Sequence, residues 1–224
     1  MRSIFLILLF GLISLSCFSL AQNDSTHRRL SFVIGIKAAV AHNFELFGPT
    51  DYQGKSKPHA SGEGYLTLGF QSKKIRFLLD VGYASYGTTW ILKNALPPNT
   101  YHYFYDFYMA KLNSQLLLGK NGQWILGLDV GASRLFNFNK TYEEKPLLGD
   151  QKYEYEQDQD VFWGGVSFGR SVKLTEHLNL DIIIGNNLST RIFPLSKNYY
   201  YFDKGTPDRN LLVKSLSFQL IYQI

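Results

Sequence analysis

His59 stands two residues before Ser61, an imidazole and a hydroxyl of the types that acid–base and nucleophilic chemistry use. His42 and Glu63 are further candidates for such chemistry. Gly165-Val166-Ser167-Phe168-Gly169 matches the G-x-S-x-G pattern, but a nucleophile elbow needs a strand, a sharp turn and a helix. The match lies inside an alternating segment, so Ser167 reads as a strand residue facing inward. The five histidines, His27, His42, His59, His102 and His177, lack metal-ligand spacing, and Cys17 is the single cysteine, so no metal and no cofactor is expected. Phosphate loops and dinucleotide fingerprints are absent. Between Thr141 and Asp160 the chain carries Glu143, Glu144, Asp150, Glu154 and Glu156, together with Tyr153 and Tyr155. This acidic run reads as a solvated loop; its sharper reading is a surface for a divalent cation, a protein or a glycan, flanked by the tyrosines of 101–108 and 199–201.

The elements that would position these groups are strands. From about residue 30 the chain falls into eight segments of period-2 alternation, the mark of strands with two unlike faces. In the first, Phe32, Ile34, Ile36, Ala38 and Val40 oppose Ser31, Gly35, Lys37, Ala39 and Asn43; in the last, Leu216, Phe218, Leu220, Tyr222 and Ile224 oppose Ser215, Ser217, Gln219 and Gln223. Connections alternate in length. Short ones occur at Ser72-Lys73-Lys74, Lys120-Asn121-Gly122 and Thr175-Glu176-His177, with Asn121-Gly122 a type I′ hairpin signal. Long polar ones run from Glu45 to Ser61, Lys93 to Thr100, Lys140 to Asp160 and Pro194 to Asp208. The plan predicts an all-β, eight-stranded antiparallel up-and-down transmembrane β-barrel with short periplasmic turns and long extracellular loops.

Periodicity alone does not say which face is outside. Glycine and serine on the polar face, aromatics near strand ends and the loop asymmetry favour the apolar face outward, against lipid. Phe70, Trp124 and Tyr222 would form one aromatic girdle, and Tyr86, Trp90, Tyr101 and Tyr103 the other. The lumen would then be packed by a charge network of Lys37, Arg76, Asp80, Lys111, Asp129 and Asp181, since buried charge needs partners. On this reading the double change Asp80→Ala, Asp129→Ala lowers the unfolding temperature without altering export. Arg170 falls in the lipid-facing phase, so it either snorkels to the periplasmic interface or follows a bulge at Gly164-Gly165.

The N-terminus has Arg2, an apolar run from Ile4 to Leu15 and a small-x-small site at Ser19-Leu20-Ala21, the form of a secretory signal peptide over residues 1–21. Residues 22–29 would be a short periplasmic segment and 30–224 the barrel. A lipobox at Cys17 fits less well, because Ser14 stands where leucine is usual. Aromatics at 16%, charged residues at 18% and a scattered net charge of +5 exclude a disordered tail and a nucleic-acid arm. The expected partners are outer-membrane lipid and a protein or glycan at the outer loops, with the chain a monomer.

The Ser-Leu-Ala ending before Gln22, the eight alternating segments and the closing Phe218-x-Leu220-x-Tyr222-x-Ile224 resemble the small outer-membrane β-barrel family of Bacteroidota, including PorT-like proteins. The resemblance implies an integral outer-membrane protein without catalysis, some relatives serving a secretion apparatus. A terminal aromatic is usual in such barrels and Ile224 departs from it. His59-Ala60-Ser61 also resembles the His-x-Ser of barrel lipid A deacylases, whose pair faces lipid, whereas the phase here turns His59 and Ser61 to the lumen. A lipid-modifying barrel and a soluble lipocalin-like barrel with an apolar interior are the two alternatives.

Overall fold

The computed structural model describes residues 30–46, 54–58, 60–92, 99–142, 159–190 and 210–224. The expected signal peptide over 1–21, the segment 22–29, His59, the acidic run Glu143, Glu144, Asp150, Glu154 and Glu156, and the tyrosines of 199–201 lie outside them. Nine strands are present: β1 (Ser31–Leu46), β2 (Gly54–Pro58), β3 (Ala60–Gln71), β4 (Ile75–Leu92), β5 (Asn99–Leu118), β6 (Trp124–Tyr142), β7 (Gln159–Lys173), β8 (Leu178–Ser189) and β9 (Asn210–Gln223). All pairings are antiparallel, and the β4–β5 pairing closes the sheet on itself. β2 and β3 both pair with β4 and are parted by residue 59 alone, so the nine strands fill the eight positions of one barrel. Part of the connection expected between Glu45 and Ser61 is therefore strand. Gly54-Lys55-Ser56-Lys57-Pro58 has no apolar face, and hence no alternation to reveal it.

Cross-strand partners followed round the wall run Trp124, Arg170, Ile182, Phe218, Ala38, Gly64, Tyr83, Tyr108 and back to β6 at Arg134. The path returns ten residues along the strand it left, a shear of ten. Eight strands with that shear tilt by about 40°, and ten residues then rise roughly 25 Å along the axis, the height of the apolar band of a transmembrane barrel.

The outer wall over that height is apolar. Leu66, Val40 and Ile184 are 67%, 63% and 61% exposed, and the pattern continues over β1 and over β3 to β9. Charged and polar side chains point inward: Arg76, Asp80, Asp181 and Gln219 are buried. A soluble lipocalin-like barrel requires the reverse, so that alternative is overturned. At the short-turn end Phe70, Trp124 and Tyr222 face outward, as expected of a girdle; Phe32 meets Phe70 edge-on at 5.6 Å and Trp124 stacks on Phe168 at 5.6 Å. Tyr86 does not belong to the other girdle: it is in phase with Arg76 and Asp80 and is buried inside. Tyr83 and Tyr108 take the outward places there.

Two irregularities change the phase. Between β5 and β6 the register slips after Asp106, leaving Phe136 as an extra residue that stacks on Tyr108 at 4.2 Å. Between Pro58, opposite Thr88, and Gly62, opposite Ser85, one residue is gained. No slip occurs at Gly164-Gly165, so Arg170 stays on the outer wall, where its guanidinium lies 5.6 Å from the Trp124 ring at the short-turn rim. The turn after β5 is longer than an Asn-Gly hairpin. It spans residues 119–123 between the paired Leu118 and Trp124, and Gly119 and Gly122 supply the positive φ angles of 87° and 65°.

Candidate functional site

The six charged residues expected in the lumen all face it, and they assemble in tiers. Nearest the short turns, Arg76 on β4 donates Nη1 to Asp181 on β8, four positions round an eight-position wall, so the pair crosses the full diameter. The same guanidinium donates Nε to Gln71 Oε1 at 2.8 Å and Nη1 to Gln115 Oε1 at 3.0 Å. Above it, Lys37 Nζ donates to Asp80 Oδ2 at 3.1 Å, and Thr67 Oγ1 donates to Asp80 Oδ1 at 2.6 Å while accepting from Gln219 Nε2 at 2.9 Å. Higher still, Lys111 Nζ donates to Glu63 Oε2 at 3.3 Å.

Glu63 is the residue that the sequence suggested grouping with His42 and His59 instead of with the lumen charges. Its inward phase, shared with Tyr65 and Thr67, was the available signal. It accepts from Tyr65 Oη at 2.8 Å and from Tyr86 Oη at 2.7 Å, and so joins the charged tiers to an aromatic one. The Tyr65 ring lies near two ammonium groups, 5.6 Å from Lys37 and 5.0 Å from Lys111.

Toward the long connections the lumen is sealed by rings. Tyr86, Phe107 and Trp163 stand with centroids 5.7 to 5.8 Å apart, and Trp163 Nε1 donates to Ser133 Oγ at 2.7 Å. Tyr105, Met109, Leu135 and Val161 fill the same layer. The lumen is therefore not a polar network throughout: its outer part is an apolar plug. Both faces of β5 are aromatic there, which hid the plug from a reading that looked for polar against apolar.

Asp129 differs from the other five. It is buried, forms none of the three ion pairs, and its Oδ1 has no hydrogen-bond partner. The expected loss of stability in the Asp80, Asp129 double variant therefore divides unequally. Asp80→Ala leaves the Lys37 ammonium buried without its carboxylate and carries most of the fall, while Asp129→Ala adds little; melting the two single variants separates them.

The candidate hydrolytic pair is not assembled. Ser61 Oγ donates to Asn43 Oδ1 at 2.8 Å and accepts from Gly87 N at 3.1 Å, inside the wall. His42 is exposed on the outer wall opposite Lys214, so it lies on the other side of the sheet from Ser61. His59 is outside the described residues. No group of three or more His, Cys, Asp or Glu placed to hold a metal ion occurs among the described residues.

The polar outward residues mark the upper edge of the apolar band: Arg134 faces Asp160 across β6 and β7, and Lys214 stands between His42 and Asn186. Beyond this edge β6 ends at Tyr142 and β7 begins at Gln159, so the acidic run joins the strands at the rim farther from the short turns.

No protein-family model and no curated protein matches the chain. Among solved structures it is similar to Neisserial surface protein A, at 16% identity over 88% of this chain and 99% of that one, with a TM-score of 0.44. It is similar also to the outer membrane protein OprG from Pseudomonas aeruginosa, at 14% identity over 88% and 97%, TM-score 0.43. A third is Ail, the attachment invasion locus protein of Yersinia pestis, at 9% identity over 86% and 98%, TM-score 0.42.

Proposed function

We propose that the chain is an integral outer-membrane barrel that presents its outer loops to a protein or glycan partner, with a lumen that does not conduct ions. The observation that carries this reading is the inversion of its faces, an apolar band outside and three buried ion pairs inside. Water would not hold such a surface in solution as a monomer, whereas lipid requires it. The leader over 1–21 and the sorting of short turns to one rim support export and the orientation. The acidic, tyrosine-bearing run between β6 and β7 is the contact surface. The resemblance to PorT-like barrels supports a role accessory to a secretion apparatus, exercised through the same loops.

Cell-envelope fractionation followed by gel mobility with and without boiling tests the reading, with Ile184→Arg as the informative variant. The native protein is expected in the outer membrane, with a mobility shift on boiling. Ile184 is 61% exposed, so arginine there would be nearly neutral in water; against lipid it costs about 2–4 kcal/mol and lowers the unfolding temperature by about 5–15 °C. Recovery in the soluble fraction with an indifferent Ile184→Arg variant would sink the proposal.

A further inference from the structure

Inside the wall among the described residues are four buried carboxylates, Glu63, Asp80, Asp129 and Asp181, and three cations, the buried Arg76 and Lys111 and the nearly buried Lys37. Each cation has one of the other three carboxylates as its ion-pair partner, which leaves Asp129 as the surplus negative charge. Its surroundings are built from glycine. Gly127 and Gly131 flank it on the inner face of β6, and Gly165 lies opposite on β7. Ser167 Oγ occupies the space that a Cβ on Gly127 would take, and Asn113 Oδ1 is 3.4 Å from the same point. Asn187 Oδ1 fills the corresponding space over Gly165, the residue paired with Asp129. Lys111 passes over Gly131 with its aliphatic stem, Cγ 2.8 Å from the corresponding point, and carries its ammonium on to Glu63. The oxygens Asp129 Oδ1, Asn113 Oδ1, Ser167 Oγ and Asn187 Oδ1 are all buried and all without a hydrogen-bond partner, and Asn113 Nδ2 is an unpaired donor beside them. Leaving that many polar atoms dry and unpaired is costly, and a common occupant would satisfy them together.

We propose that the lumen binds one monovalent alkali cation on the Asp129 carboxylate, with the side-chain oxygens of Asn113, Ser167 and Asn187 completing its shell. The donors are all hard oxygens, which select an alkali or alkaline-earth ion over a transition metal. One carboxylate among neutral oxygens matches a single positive charge, and a monovalent ion brings the buried charge of the lumen to zero, where a divalent ion would overshoot it. The site lies between strands β5 and β8, so an occupied site ties together a wall that glycine leaves thinly packed.

The test is thermal unfolding of the purified full chain, refolded into a neutral detergent in sodium chloride or in choline chloride at equal ionic strength so that the closed lumen takes up the ion as it forms. The native protein is expected to melt about 2–4 °C higher in sodium. Asp129→Asn is expected to lose the difference and, freed of a buried charge that no ion pair holds, to melt above the native protein in choline. Asn187→Ala, which removes one neutral donor, is expected to keep a smaller difference, and it stands in should Asp129→Asn not fold. Asp160→Asn, on the outer wall, is expected to keep it in full. Equal melting of the native protein in both salts overturns the proposal, leaving Asp129 with a proton or ordered water. An undiminished sodium effect in Asp129→Asn or Asn187→Ala overturns it as well, since the effect would then lie elsewhere.

Discussion

Arg76→Ala is expected to lower the temperature at which the barrel unfolds by roughly 10–15 °C, followed by the loss of the fast-migrating band on unboiled gels. The size follows from what one guanidinium holds. It is 1% exposed, spans the lumen to Asp181 and donates to Gln71 and Gln115, so its removal strands a buried carboxylate and two amide oxygens at once. Breaking a buried pair from one side costs about 3–5 kcal/mol, because the remaining charge has no water to return to. Replacing both partners with apolar residues, Arg76→Met with Asp181→Leu, is expected to recover most of the loss, since a filled apolar layer needs no counter-charge. If the single and double variants melted alike, the guanidinium would be acting through its packing and not through its charge.

This pair also shows how far a linear sequence reaches. Period-2 alternation placed Lys37, Arg76, Asp80, Lys111, Asp129 and Asp181 on one face, because each strand reports its own two sides. It could not say which acid meets which base. Arg76 and Asp181 are 105 residues apart and belong to strands that never pair; they meet because a shear of ten in an eight-strand wall sets both at one height. The same geometry gives Lys111 to Glu63 and leaves Asp129 without an ion pair, an outcome that depends on stagger and not on composition. Local signals failed where the pattern lost contrast. Tyr86, Phe107 and Trp163 point inward from strands whose outward residues are also aromatic or apolar, so nothing in their types separates plug from girdle. Phe136 takes its outward place through a register slip after Asp106 that the residues themselves do not announce. Arg170 looked like a fault in the alternation and is instead a rim residue, made tolerable by the Trp124 ring beside it.

Removing the ring plug is the second large expected effect, and it separates the two ways in which the lumen is closed. Trp163→Ala with Phe107→Ala takes out two of three mutually touching rings and should lower the unfolding temperature by about 10–20 °C; the rings share contacts, so the double loss falls short of the sum of the singles. Ion conductance across a planar bilayer is nevertheless expected to stay at baseline in this variant. Below the plug, Lys111 is held to Glu63, Lys37 to Asp80 and Arg76 to Asp181, and the last pair bars the lumen across its diameter. An ion passing these tiers would have to part charges that are buried together, a far higher barrier than rewetting the cavity the rings leave behind. Adding Arg76→Ala to the ring variant removes the lowest bar and should bring the first measurable conductance. Conductance in the ring variant alone would mean that the apolar plug is the whole seal and that the ion pairs serve only to hold the wall together.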